Sequence, residues 1–334
     1  MKISFCIPTY NHGRFLGAAL DSILAQAPED FEIVIVDGAS VDETPAVVAE
    51  YQRRTPHILY RRMAANRGVD PDIAETIALA SGEYCWLMSS DDVLCTGAVA
   101  KVLHALQTPA AMYVGARVDC TAELVPFSES PVSRAREGRT WDFSKEEHLI
   151  DYLGQATGLI ALFSYLSVLV FRRDLWNGAP DASARYGSCY AHAYRLWTAL
   201  ASAGEVCFLG TPLVMCRMDT DNFISRGLFR RYLLDFDGYL GIADEVFGKR
   251  ARVRAAFLEA LQREHGTFRL AKFYRACADQ EQRRAAVSRL RAVGYSNARV
   301  FAIRAVASTG PAVTAAAALR RYARRLAGRL RHWG

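Results

Sequence analysis

The 334-residue chain holds eight cysteines, none in a C-x-x-C pair, and most of them sit beside apolar residues. That excludes a zinc cluster and a disulfide-stapled scaffold, and fits small buried hydrophobes in a reducing cytoplasm. No G-x-G-x-x-G follows the first apolar run and no G-x-x-x-x-G-K-[ST] occurs. Neither a Rossmann dinucleotide site nor a P-loop is expected. Nor does a basic leader with an apolar stretch and a small-residue cleavage site open the chain, so no secretion signal is expected. The charge-free run from Tyr152 to Phe171 is interrupted by Gly154, Gln155, Thr157, Gly158, Ser164 and Ser167. It reads as a helix end followed by a buried strand, Ser167 to Phe171, and not as a bilayer span. Acid is missing from the C-terminal end: from Gln282 onward there are twelve arginines and no Asp or Glu, while the rest of the chain is slightly acidic.

What is present is a globular composition, 51% hydrophobic and 23% charged, in a length that suits one large α/β domain with an appendage. The runs Ile3 to Ile7, Phe31 to Val36 and Glu83 to Met88 are short and β-branched or aromatic, and stretches of helical period separate them. This alternation predicts a parallel sheet of βαβ units. Phe15, Ala19, Ile23 and Ala27 recur at helical spacing, Thr44 to Tyr51 and Ile73 to Ala80 give two more helices, and Ile58 to Tyr60 a fourth strand. The Ser-, Pro-, Arg- and Glu-rich segment from Cys120 to Thr140 reads as a long surface excursion, and Val93 to Leu106 as a helix. After Arg226 the pattern is helical, with breaks expected at Gly248, Gly266, Gly294 and Gly310. The expected division is therefore an α/β domain over 1–225 and a helical region over 226–334.

In open α/β sheets ligands bind beyond the carboxyl ends of the strands. Here those ends are polar: Pro8-Thr9-Tyr10-Asn11, Asp37 to Thr44, Asn66-Arg67-Gly68 and Ser89-Ser90-Asp91-Asp92. In order and spacing, "CIPTYN", "IVIVDGASVDET", "NRG" and "ASGEYCWLMSSDDVL" resemble the family 2 glycosyltransferases of the GT-A fold. The segment "GVDPDIAETIALASGEYCWLMSSDDVL" resembles in particular the abequosyltransferase-like branch.

The resemblance implies a Rossmann-like GT-A nucleotide-diphospho-sugar transferase, inverting, with Mg²⁺ or Mn²⁺ as cofactor. Asp91 is the first choice for the metal ligand and Asp92 the second; Ser89 stands where the family has its first Asp. Asp91 and Asp92 could instead cap the helix expected from Val93. Asp37 matches the position that hydrogen-bonds the nucleobase, and Thr9 the one whose main chain supports it; turn chemistry alone would also account for Asp37-Gly38. Asn66, Arg67, Gly68 and Ser90 fall at nucleotide-binding positions, Ile73 replaces the family's diphosphate-binding arginine, and Asp70 and Asp72 line the donor sugar or serve as helix caps. Asp42 is read as a cap for the helix that follows it. Arg217 in "PLVMCRMDTDNFIS" is the natural phosphate contact, with Asp219 where many members have His.

The family's acidic base pair is missing, and His192 stands about where it should be. An imidazole can take the acceptor proton at neutral pH, or His192 can be a hydrogen-bonded structural residue on a helix that buries Leu196 and Leu200. The remaining histidines, His12 among them, read as structural or surface residues. From Ala318 to Gly334, Leu319, Tyr322, Leu326, Leu330 and Trp333 recur at intervals of three and four among arginines. This basic amphipathic helix suits an anionic membrane surface, or packs on its own domain. No nucleic-acid-reading motif accompanies the charge. The expected partners are a nucleoside-diphosphate sugar and a polyprenyl-diphosphate-linked glycan in O-antigen-like synthesis, met at the inner face of the cell membrane by a cytoplasmic, peripheral enzyme. The alternative is a non-catalytic sugar-nucleotide or membrane-binding protein descended from such enzymes.

Overall fold

The structure, a computed structural model, describes residues 2–202, 204–218 and 227–309. Three βαβ units open it. The strands β1 (Ile3–Thr9), β2 (Phe31–Asp37), β3 (Ile58–Arg62) and β4 (Tyr84–Leu87) alternate with α1 (Gly13–Leu24), α2 (Thr44–Arg54) and α3 (Val69–Leu79). All four strands run parallel, in the order β3-β2-β1-β4. The strand order reverses at β1, the kind of switch point where such sheets open a crevice. Thr9 lies opposite Asp37, so these two strands end level. Cys6 pairs with Leu87, which carries Ser89 to Asp92 past the same edge.

The sheet continues antiparallel through β9 (Leu169–Arg172) and β6 (Met112–Cys120) to the long β10 (Glu205–Arg217), which runs parallel to β6. Two short strands, β7 (Pro126–Ser130) and β8 (Thr140–Asp142), pair with β6 and β10. The expected surface excursion is thus partly absorbed into the sheet. Val93–Leu94 is not helical: it forms β5, antiparallel to Val214 and Met215, and Gly97 in the left-handed region starts α4 (Ala98–Ala105). Asp91 and Asp92 therefore cap no helix. Between α5 (Glu146–Gln155) and β9, residues 156–168 make two 3-10 turns, and among the described residues no helix is long and apolar enough to cross a membrane.

The short α6 (Arg173–Asn177) and α7 (Ala191–Ser202) precede β10. Beyond it stand α8 (Leu228–Phe247), α9 (Ala251–Glu264), α10 (Thr267–Arg275), α11 (Gln280–Ala292) and α12 (Asn297–Ser308), with Gly248, Gly266 and Gly294 at the breaks. These helices share one core with the sheet domain: Trp197 of α7 meets Phe163, Phe247 and Phe257 ring to ring. Six of the eight cysteines are buried, and no two are joined in a disulfide.

Candidate active site

The end of β2 presents Asp37, whose side chain is fully buried. A buried carboxylate needs partners, and this one finds them in the chain. Oδ1 accepts the Ser40 N–H at 2.8 Å, Oδ2 accepts the Tyr60 hydroxyl at 2.7 Å, and the Arg62 guanidinium stands 3.7 Å away. Burial and the carboxylate together push the Tyr60 phenol up. The base is thus not required to explain the burial of Asp37. Asn11 latches this turn to the end of β1: its N–H donates to Ser40 Oγ and its Oδ1 accepts the Val41 N–H, both at 2.8 Å. Asp42 accepts the Thr44 N–H at the start of α2 and the Gly13 N–H at the start of α1, which fits the capping reading.

Past β4, the Ser89 hydroxyl donates to Asp91 Oδ1, so the hydroxyl that replaces a carboxylate here orients the next one. Asp92 turns into the protein, where Oδ2 accepts the hydroxyls of Tyr165 and Ser167, each at 2.5 Å. Burial, reinforced by the neighbouring Asp91 charge, lifts its pKa to about 7. Asp92 is therefore held by the protein, and Asp91, 8% exposed against 1% for Asp92, is the more open of the two carboxylates. Ser90 is buried and its Oγ lies 2.9 Å from His12 Nδ1, which places His12 in the site. Arg217, at the end of β10, donates to the Asp91 main-chain carbonyl and to Ala122 O, and lies over the Phe15 ring. It fixes the Asp91 turn from behind.

The first turn of α3 divides its two aspartates. Asn66 and Gly68 form an exposed turn before it, Asn66 Oδ1 accepting the Gly68 N–H at 2.8 Å, and Arg67 is exposed beside them. Ile73 is buried in the core. Asp70, expected at the donor sugar, points to α7: its carboxylate accepts the N–H groups of Gly187, Cys189 and Ala191 at 2.8, 2.8 and 3.2 Å. Asp72 points the other way, against Gly38. Burial lifts its pKa to about 6, Asp37 and Glu75 add to the rise, and Arg67 opposes it.

His192 lies in the first turn of α7, 3% exposed, with Nε2 2.9 Å from Phe163 O. A carbonyl only accepts, so Nε2 carries the proton and Nδ1 holds the lone pair, buried without a partner. Burial lowers the imidazole pKa. His192 borders a small recess with Asp70, Trp176, Tyr186 and Arg195. Leu196 and Leu200 are fully buried on the same helix. Asp219 and Ala318 to Gly334 lie outside the described residues. Tyr60, Arg62, Tyr165 and Ser167, which hold Asp37 and Asp92, escaped the sequence reading. Each comes from an element distant in sequence, and the only available signal was the polar end of β3, Tyr60-Arg61-Arg62.

Residues 4–163 match the family model "Glycosyl transferase family 2". The abequosyltransferase RfbV of Salmonella typhimurium is 32% identical over 79% of this chain and 81% of its own length. A Campylobacter jejuni GalNAc(5)-diNAcBac-PP-undecaprenol beta-1,3-glucosyltransferase is 27% identical over 56% of this chain and 57% of its own. Among solved structures, S. aureus TarS 1-349 superposes with a TM-score of 0.65, covering 92% of this chain and 91% of that one at 16% identity, and it is known also in complex with UDP-GlcNAc. The chain belongs to glycosyltransferase family 2, on a GT-A fold.

Proposed function

We propose that the protein transfers a sugar, with inversion, from a nucleoside-diphosphate sugar to a hydroxyl of a polyprenyl-diphosphate-linked glycan in surface polysaccharide assembly. The observation that carries this reading is the pairing of Thr9 with Asp37 at one strand edge and the passage of Ser89 to Asp92 beyond the same edge. This supports a nucleoside end and a diphosphate end in one crevice. The nucleoside lies at Thr9 and Asp37, and the diphosphate by Asn66, Arg67, Gly68 and Ser90, with Arg217 holding the Asp91 turn. The name of the C. jejuni relative, with its PP-undecaprenol acceptor, supports a lipid-linked acceptor here. The sheet domain is taken as 1–225 and the helical region as 226–334.

The donor set suits Mg²⁺ or Mn²⁺ in one way. Among the described residues no three His, Cys, Asp or Glu side chains come together, so Asp91, with Asp92 behind it, would leave most of the coordination shell to phosphate oxygens and water. Mg²⁺ is commonly bound like that. When bound, the cation offsets the charge that grows on the leaving diphosphate. His192 takes the acceptor proton at Nδ1, the nitrogen left free for it by the Phe163 carbonyl, and burial keeps the ring neutral at pH 7. The tail from Ala318 to Gly334 brings the enzyme to the cytoplasmic face of the membrane.

Thermal melts with UDP, CDP, GDP, ADP and TDP, each with and without Mn²⁺, test the reading, because a ligand that binds the folded state alone raises its stability. A rise with one nucleotide, larger with Mn²⁺, is expected. No shift with any of them overturns it. Binding without turnover of the corresponding nucleotide sugars would mark a non-catalytic descendant, the reading that the sealed position of His192 favours.

A further inference from the structure

Two side-chain oxygens at the ends of β1 and β2 are sealed without any hydrogen-bond partner, Asp72 Oδ1 and Thr9 Oγ1. Asp72 is 3% exposed and Thr9 4%. The Asp72 carboxylate and the main chain of Thr9 meet around Gly38. A Cβ built there would stand 2.7 Å from Asp72 Oδ2 and 3.7 Å from the Thr9 carbonyl oxygen. A side chain at position 38 would have to push the Asp72 carboxylate out of this place.

Buried polar groups are nearly always hydrogen-bonded, and a lone carboxyl is among the costliest exceptions. Every other buried aspartate of the site has partners in the chain: Asp37 has Ser40, Tyr60 and Arg62, Asp92 has Tyr165 and Ser167, and Asp70 has three backbone N–H groups. Among the described aspartates, Asp72 is the one with a buried side-chain oxygen lacking any partner, and it stands against Gly38, next to Asp37. The charges that act on it are those of Asp37, Arg67 and Glu75. Both the position and the unfilled acceptor call for a hydrogen-bond donor brought by the ligand.

We propose that Asp72 binds the nucleoside of the donor, accepting a hydrogen bond from a base N–H or a ribose O–H, and does not line the transferred sugar. The proposal rests on the nucleotide-sugar reading above. It makes Asp72 a determinant of which nucleoside the enzyme accepts. Gly38 is the residue that allows it.

Calorimetric titration of the intact protein tests this. The titrants are the nucleoside diphosphate that stabilises it best, the 2′-deoxy form of that nucleotide, the matching nucleotide sugar and inorganic pyrophosphate. Removing a hydrogen bond to a charged group costs about 1.5–3 kcal/mol, so Asp72→Ala should weaken the nucleoside diphosphate about 10- to 100-fold. Pyrophosphate affinity should stay unchanged. If the ribose is the donor, the 2′-deoxynucleotide binds wild type as weakly as Asp72→Ala binds the full nucleotide; if the base is, it loses affinity again on substitution. Ligand-free Asp72→Ala and Asp72→Asn should melt no lower than wild type, since they remove an unpaired buried charge. Unchanged nucleoside-diphosphate affinity together with weakened nucleotide-sugar affinity would overturn the proposal alone, and so would a ligand-free melt several degrees lower. Wild-type protein that binds no nucleotide at all would instead overturn the reading on which the proposal stands.

Discussion

Replacing Asp70 by Ala separates a clamp from a sugar contact. Its carboxylate holds the N–H groups of Gly187, Cys189 and Ala191, and so pins the start of α7 and the turn before it to α3. That turn is strained: Gly187 has φ 94° and Cys189, which has a side chain, φ 63°. A non-glycine residue held there costs about 1–3 kcal/mol and persists only if its surroundings enforce it. Each bond to the carboxylate is worth about 1.5–3 kcal/mol, but the three share one group and the turn can relax into water once released. A net loss of about 3–5 kcal/mol follows, comparable to breaking a buried charged pair. For a chain of this size, about 2 °C per kcal/mol translates it into a melting temperature about 6–10 °C lower. Asp70→Asn, which keeps one acceptor oxygen, should lose roughly half as much. Scanning calorimetry without ligand gives the answer. If Asp70→Ala melts with wild type but loses affinity for the nucleotide sugar, the clamp argument is wrong and Asp70 touches the donor.

His192→Ala should lower turnover by about 10² to 10⁴ with donor affinity nearly unchanged. Because burial depresses the imidazole pKa, the neutral base survives acidification, and the acid limb of the kcat/KM profile should lie below pH 6.5; a limb above that value would point to another base. Asp91→Asn should abolish the extra thermal stabilisation that Mn²⁺ gives with nucleotide, and a retained Mn²⁺ effect would remove Asp91 from the cation site. Deleting residues 318–334 should release the protein from anionic vesicles, at about 1 kcal/mol for each Arg near the lipid, while sparing activity on a short soluble acceptor; equal sedimentation of both forms would make the tail a packing element.

The parallel half of the sheet was legible because β1, β4 and most of β2 are buried on both faces, and continuous apolar runs such as Ile3 to Ile7 have no other economical explanation. The antiparallel half was less so. Val93 to Leu106 carries apolar residues at helical spacing, yet its first two residues are a strand, because Val214 and Met215 lie beside them. Pairing across that much sequence leaves no local mark. Gly97, in the left-handed region, was the one local sign of where the helix could begin.

The two aspartates of α3 show how much of the site was open to reasoning and how much was not. Residues two apart on a helix are about 200° apart around its axis, so Asp70 and Asp72 are expected to meet different neighbours. That much follows from spacing. Which way each points depends on Gly38 and on the backbone of 187–191, and neither neighbour is local. The same division governs the charges at this edge. Asp37 and Asp92 accept hydrogen bonds from phenols and hydroxyls of β3 and of the 165–167 segment, elements whose sequences carry no motif. In the reading proposed above, Asp91, oriented by Ser89, meets a cation and the unpartnered Oδ1 of Asp72 meets an N–H or O–H donor, and a nucleotide with its bound cation carries both.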